Sequence, residues 1–342
     1  MSLFTKRLYV GVEMDSGTIK LAGRHKSVPS AHLDFYEIVD LVKENGLASP
    51  HQLDDQHYIQ QLRNWVVKYH LKHAQVVAAL PSAEAILHAF KVSSLQSESN
   101  LVEVIQNELQ HLTQKPLDNM RIACQQIEVI GQANHGVWLF AGAVPNSLIE
   151  RHLRILRESG LQARVIDLNA LGLYNAFCHF HTDIEESLVT LVQVEREYSI
   201  CVVIPHGGPP FFYISSVGGN AITTQIMEEM GVSFSQAETY KSRMYQPEWT
   251  NLESFKHSKL AEIFFGFAEK LIMDVKKCIQ HVQVCEEIAG VGQIYLTGAG
   301  APLDLLRECF LRLELASQIW NPLDHHDGFH LVSLIGGLVR SD

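Results

Sequence analysis

Two stretches of this chain share one outline. Residues 8–23 read LYVGVEMDSGTIKLAG and residues 188–204 read LVTLVQVEREYSICVVI. Each is an apolar strand, a polar turn carrying carboxylates, and a second apolar strand. Each is followed by one further strand, LDFYEIV and FFYISSV respectively. A strand–hairpin–strand unit that recurs about 180 residues on suggests a duplicated core with a cleft between its halves. The rest of the chain alternates the same way. Strand-like runs AQVVAAL, VWLFAGAV, ARVIDL and QIYLTG are interleaved with helix-like runs at 55–70, 98–113, 145–159, 169–180, 220–230, 234–243, 258–284 and 302–313. That alternation argues an α/β fold. In the 258–284 run, Ile263, Phe267, Leu271, Val275, Ile279 and Val282 recur at spacings of three and four, a stripe read as core packing. The stretch 244–257 loses this period at Pro247 and reads as a loop.

At 342 residues the chain is long enough for two domains and for burial of roughly 75% of its unfolded surface. Its formal charge of −11, without a long Lys/Arg run, lacks the footprint of a nucleic-acid binder. No apolar run approaches the ~20 residues of a membrane helix, and MSLFTKRLYVG has no signal-peptide core, so a soluble, cytoplasmic protein is expected. Six cysteines (Cys124, Cys178, Cys201, Cys278, Cys285, Cys309) stand in apolar contexts without a CxxC pair, which favours reduced, buried thiols. His179 with His181, and His325 with His326, have no Cys/His partners at zinc spacing and read as solvated or hydrogen-bonded rather than as metal ligands. No G-x-S-x-G nucleophile motif is present.

Four pieces taken in order, the two hairpins, the glycine turn VGGNAITTQI and the late IYLTGAGAPL, resemble the actin, Hsp70 and sugar-kinase ATPase superfamily. Further segments narrow the resemblance: VVAALPSAEAILHAFKV, IQNELQHLTQKPLD, ESGLQARVIDLNALGLYNAF, SQAETYK, IWNPLD and SLIGGLVR. Nearly the whole chain is similar to the type IV pilus assembly protein PilM family, with its relatives HofM and MshI. The resemblance implies an actin-like (ribonuclease H-like) fold: duplicated α/β domains around a central nucleotide cleft, with a small αβ insertion subdomain as in FtsA. The divisions expected are 1–81 with 164–185 and 322–342 for the first half, 82–163 for the insertion, and 186–321 for the second half, with a helical insertion at about 221–289. FtsA ends in an amphipathic membrane-targeting helix; this sequence stops soon after SLIGGLVRSD, which favours the PilM side.

The resemblance also names site residues. In the first turn Glu13 would serve a metal, Ser16, Gly17 and Thr18 would line phosphate, and Lys20 would pair with it. Asp15 departs from the motif glycine. A carboxylate a few ångströms from triphosphate is repelled by roughly 4 kcal/mol per charge pair at an effective dielectric near 20. An Asp-Ser-Gly turn closes a plain hairpin equally well. In the second turn the family's Asp-x-Gly falls on Gln193, Val194 and Glu195, and Ser199 keeps the later hydroxyl. The nucleoside side is better matched: Gly218 and Gly219, then Glu238 and Lys241, then Gly298, Ala299 and Gly300. Glu238 and Lys241 are three apart on a helix, suited either to ribose and base contacts or to an exposed ion pair. With Asp15, Gln193 and Glu195 altered together, the expectation is a cytoplasmic pseudo-ATPase scaffold of the inner-membrane pilus complex, without a catalytic or metal site. It would bind the cytoplasmic N-terminal segment of a PilN-like membrane protein, in a groove between the first half and the insertion, alongside other pilus assembly proteins. The alternative is an active or nucleotide-switched protein of the FtsA/PilM type that uses ATP with Mg²⁺.

Overall fold

The computed structural model describes residues 7–25, 32–92, 98–113, 117–127, 137–181, 186–246, 258–323 and 327–340. The chain opens with strands β1 (Leu8–Asp15), β2 (Thr18–His25) and β3 (Phe35–Asp40), the short helix α1 (Leu41–Glu44), helix α2 (Asp55–Lys68) and strand β4 (Gln75–Leu80). There follow β5 (Ile86–Val92), α3 (Glu98–Thr113), β6 (Met120–Ile127), β7 (Val137–Pro145), α4 (Asn146–Glu158), β8 (Ala163–Leu168) and α5 (Asn169–Phe180). The rest comprises β9 (Leu188–Val194), β10 (Ser199–Pro205), β11 (Phe211–Ser215), α6 (Gly219–Met230), α7 (Phe234–Arg243), α8 (Lys259–Glu286), β12 (Gln293–Gly298), α9 (Leu303–Arg312), β13 (Ser317–Ile319) and α10 (Val332–Arg340).

The duplication expected from the two hairpins extends to whole sheets. One five-stranded sheet has the order β3-β2-β1-β4-β8 and the other β11-β10-β9-β12-β13. Both are built alike: an antiparallel hairpin, an antiparallel third strand on its outer side, and two parallel strands on the other. Parallel pairing requires crossovers, which the intervening helices supply. β9 and β10 are buried along their whole length, as expected of sheet strands covered on both faces.

Helices α5 and α10 lie between the sheets. Leu173, Ala176 and Phe177 of α5 pack with Leu191, Ile200 and Val202 of the second sheet, while Leu334, Ile335 and Leu338 of α10 pack with Tyr9, Ala22 and Val77 of the first. The helices touch backbone to backbone. A Cβ on Gly336 would lie 1.7 Å from the Gly172 carbonyl oxygen, and one on Gly172 would lie 2.1 Å from that of Ser333. The third sheet, β5-β7-β6, is antiparallel and carries α3 on one face through Ile105 and Leu109.

Several elements differ from the sequence reading. β5, β6, β13 and α10 are regular elements that the sequence pattern did not single out. MRIACQQI mixes polar residues into an outer strand, and the two glycines of SLIGGLVR weaken a helical signal that burial then overrides. The helix expected at 55–70 stops at Lys68, because His70 adopts φ 56°. The apolar stripe of α8 is buried as expected. Of the presumed loop 244–257, residues 247–257 lie outside the described residues, as do His325 and His326. All six cysteines are free, but only Cys201, Cys278 and Cys309 are buried. Cys124 on outer strand β6 and Cys285 in the last turn of α8 are exposed.

Candidate functional site

The two hairpin turns face each other across the cleft between the sheets. Register places Glu13 directly opposite Lys20, and the Lys20 ammonium lies 2.8 Å from Glu13 Oε1. The same ammonium reaches the other half of the molecule, 3.2 Å from Glu195 Oε2. Gln193 donates its amide N–H to Glu195 Oε1 (2.5 Å) and to the Ser333 hydroxyl (3.3 Å), and Ser333 in turn donates to Glu13 Oε2 (2.8 Å). The ring therefore closes through β1, β2, β9, the second turn and the start of α10, and all five side chains are buried. Burial alone would lower the Lys20 pKa, yet Glu13 and Glu195 outweigh it and hold the ammonium above its ordinary value. Burial and neighbouring Glu13 raise Glu195 against the pull of Lys20.

Asp15 stands beside this ring as a third carboxyl around a single ammonium. Its Oδ1 accepts the Ser16 N–H at 2.7 Å, its buried Oδ2 has no partner, and burial, with Glu195 and Glu13 nearby, pushes its pKa up to about 7.

The turn amides that a phosphate would use are engaged within the protein. In the first turn, Ser16 N–H is held by Asp15, and Gly17 N–H donates to the Tyr58 hydroxyl (3.1 Å), which itself donates to Asp15 O (2.8 Å). Gly17 has φ +83°, the backbone a two-residue turn between paired Asp15 and Thr18 requires. Around the second turn, Gly219 N–H donates to Glu195 O, Asn220 N–H to Arg196 O and Gly300 N–H to Val194 O, at 2.7–2.9 Å. Gly218, Gly219 and Gly300 thus serve a close backbone approach: a Cβ on Gly219 would lie 1.9 Å from Gly300 O, and one on Gly300 would lie 2.1 Å from Glu195 O. Ser199 spends its hydroxyl on Val217 O (2.6 Å). Ser16 is exposed at the tip.

On the nucleoside side a cavity of about 240 Å³ remains, lined in part by Thr18, Lys20, Arg196, Lys241, Ala299 and Gly300. Arg196 forms a second ion pair between the halves, with Asp40 at the end of β3. Lys241 is buried, which lowers its pKa, and lies 3.8 Å from Glu238 and 3.5 Å from the Thr223 hydroxyl, which also hydrogen-bonds Glu238. The exposed ion pair considered for Glu238 and Lys241 is therefore half right: the pair exists, but α6 covers the lysine end. Gly298, at φ +93°, packs its backbone against Val194 instead of opening toward the cavity.

Of the sequence candidates, Glu13, Asp15, Lys20, Gln193 and Glu195 gather in one cluster, and Thr18, Glu238, Lys241, Ala299 and Gly300 line the adjoining cavity. Ser333, Arg196, Asp40 and Tyr58 complete the arrangement without having been expected. Ser333 opens SLIGGLVR and Arg196 sits in the second turn, both within segments that carry the family resemblance, whereas nothing local marks Tyr58. His181 stacks on Phe177 at 4.1 Å and His179 meets Phe180 edge-on. Among the described residues no group of three or more His, Cys, Asp or Glu is placed to hold a metal ion.

A separate groove of about 470 Å³ runs between the third sheet and the first, bounded by outer strands β6 and β8. Phe140, Gly142, Ile166, Leu168 and Leu171 give it apolar walls, and the buried Asn175 side-chain nitrogen there has no partner. Among the described residues no helix is long and apolar enough to cross a membrane.

A search of curated proteins finds no significant match. Among solved structures the chain is similar to a PilM–PilN type IV pilus biogenesis complex (TM-score 0.77, 16% identity, 97% of this chain and 98% of that one). It is similar also to the ethanolamine utilization protein EutJ from Carboxydothermus hydrogenoformans (0.55, 14%, 99% and 91%). A third likeness is to MreB5 of Spiroplasma citri bound to ADP (0.51, 11%, 97% and 95%). The fold is the actin-like one. A family model described as type IV pilus assembly protein PilM matches residues 11–330, and the chain belongs to that family.

Proposed function

We propose that this protein is a scaffold of the type IV pilus inner-membrane assembly complex, an actin-like body whose nucleotide cleft is closed by its own side chains. One observation carries the reading: Lys20, the first turn's candidate phosphate partner, is bound by Glu13 and Glu195 from opposite halves. A Mg-nucleotide does not fit these residues. Its phosphates would have to break a buried ion pair, displace Glu195 from the position of a motif glycine, and compete for amides already hydrogen-bonded, while the remaining cavity falls below the ~300 Å³ usual for small-molecule sites. The chain is accordingly a pseudo-ATPase.

Its working surface is the groove between β6 and β8. Outer strands offer unpaired backbone groups to an extended peptide, and the apolar walls supply side-chain pockets. The occupant is the cytoplasmic N-terminal segment of a PilN-like membrane protein, and this contact brings the protein to the membrane face; the likeness to a PilM–PilN complex supports a PilN-like partner. On this reading residues 82–163 form an inserted subdomain between 1–81 and 164–185, residues 322–342 return to the first half, and 186–321 form the second. Calorimetry with the N-terminal peptide of the PilN-like protein encoded beside this gene should give micromolar or tighter binding. Ile166→Glu, at a half-exposed position on β8, should weaken it at least tenfold. Absence of binding to that peptide would overturn the proposal.

A further inference from the structure

Strands β1, β4 and β8 of the first sheet run parallel, and β1 delivers its last residues to the cleft, so the starts of all three lie at the opposite end of the sheet. Basic residues collect there. Tyr9 stands beside Gln75 in the β1–β4 register, which brings Arg7 in next to the Leu71–His73 turn that carries Lys72. Arg164, at the start of β8, donates to Gln75 Oε1 at 2.5 Å. Arg63 donates through Nε and Nη2 to Glu158 O at 3.2 and 3.0 Å, which sets the ends of α2 and α4, and with them Arg157, side by side.

The ion pairs nearby belong to other cations: Asp55 holds Arg151 and Arg154, Glu37 holds Lys68, and Asp34 meets His25. Arg7, Arg63, Lys72, Arg157 and Arg164 are all exposed, and Glu158 is the one acid in the segments that carry the last four. Residues 61–75 and 154–164 hold six Lys/Arg against that single acid, in a chain whose formal charge is −11.

Two further observations say what such a face would meet. Val67 lies one turn beyond Arg63 on α2 and is 74% exposed, an apolar side chain set among cations, as suits a surface that is anionic outside and apolar within. Arg164 and Ile166, two apart on β8, share one face of that strand, so the basic face runs into the wall of the peptide groove.

We propose that this face docks on an anionic lipid surface, with the strand starts and the ends of α2 and α4 turned to the headgroups. The choice of a membrane over another polyanion rests on the reading that a membrane protein's segment fills the groove. Attraction between basic residues and anionic headgroups falls off within a Debye length, so the contact is reversible and salt-sensitive, and it orients a protein that its partner tethers.

Co-sedimentation of the full chain with vesicles needs no peptide, so its outcome is separate from that of the peptide calorimetry. Vesicles of equal parts phosphatidylglycerol and phosphatidylcholine should be bound at least tenfold more tightly than phosphatidylcholine alone, and raised salt should release the protein. Lys72→Glu with Arg157→Glu should weaken this binding at least tenfold and leave peptide affinity unchanged. Lys270→Glu with Lys277→Glu, exposed on α8, makes the same change of net charge and should leave vesicle binding unaltered. Val67→Ser, which changes no charge, should weaken it severalfold. Equal binding to both vesicles, or equal loss in the two double variants, would overturn the docking face. Tighter binding of polyuridylate than of the anionic vesicles would overturn the membrane as its partner.

Discussion

Asp15 illustrates how one residue type changes meaning with its surroundings. In sequence it interrupts a phosphate-binding turn; in the structure it caps that turn through Oδ1, and burial, with Glu195 and Glu13 nearby, raises its pKa to about 7. Its carboxyl pKa rises from 3.8 to about 7 on folding, so the folded state holds the proton more tightly than the unfolded one. The stability from that proton is fully present below about pH 4 and is lost as pH rises through 7. Asp15→Asn removes this dependence while retaining the cap. Chemical denaturation at a series of pH values should show the D15N chain gaining on the wild type between pH 4 and 7, then holding a constant advantage. At about 1.4 kcal/mol per pH unit the ceiling is about 4 kcal/mol. An unchanged difference across that range would show that the carboxyl titrates as an ordinary exposed acid. Lys20 is the complementary case: a lysine suited to phosphate becomes, once buried between two carboxylates, one of the two ion pairs that join the halves.

At the scale of elements, the pair α5 and α10 fixes the distance between the two sheets and hence the reach of Lys20 to Glu195. Their approach depends on Gly172 and Gly336, where a methyl group would overlap backbone oxygen. Gly336→Ala gains about 1 kcal/mol of helix propensity but must push the helices apart, and overpacking of this kind costs about 1–3 kcal/mol or more. The neighbouring Gly337→Ala puts its methyl 3.4 Å from a Val77 methyl, an ordinary contact. Thermal unfolding should therefore lower the midpoint by several degrees for G336A and leave G337A equal to or above the wild type. Equal loss in both would mean that the crossing is not the tight point. The hairpins belong to this scale too. Alternating apolar residues and the Asp-Ser-Gly turn made β1 and β2 readable, whereas β5 and β6 depend on the third sheet's packing and carried no comparable signal.

The whole molecule is two copies of one sheet plan, closed across their cleft by Lys20–Glu195 and Arg196–Asp40. A ligand that binds only the folded state raises its stability in proportion to the logarithm of its concentration over Kd. For a pseudo-ATPase, 5 mM Mg-ATP should leave the thermal midpoint unchanged and phosphate release at the buffer rate; saturable turnover, lost on Glu13→Ala, would return the protein to the ATPases. The sequence by itself determined the duplicated α/β plan, the apolar stripe of α8 and the family, because these rest on local periodicity and on motif order along the chain. It also placed Glu13, Asp15, Lys20, Gln193 and Glu195 at the two turns. Only the tertiary structure decided what those residues do. Lys20 and Glu195 are 175 positions apart and Glu13 and Ser333 are 320 apart, so their bonds exist only once α5 and α10 have set one sheet against the other. The same packing decides which amides are already taken and leaves Asp15 Oδ2 buried without a partner, since burial and hydrogen-bond competition are properties of the assembled cleft and not of either turn.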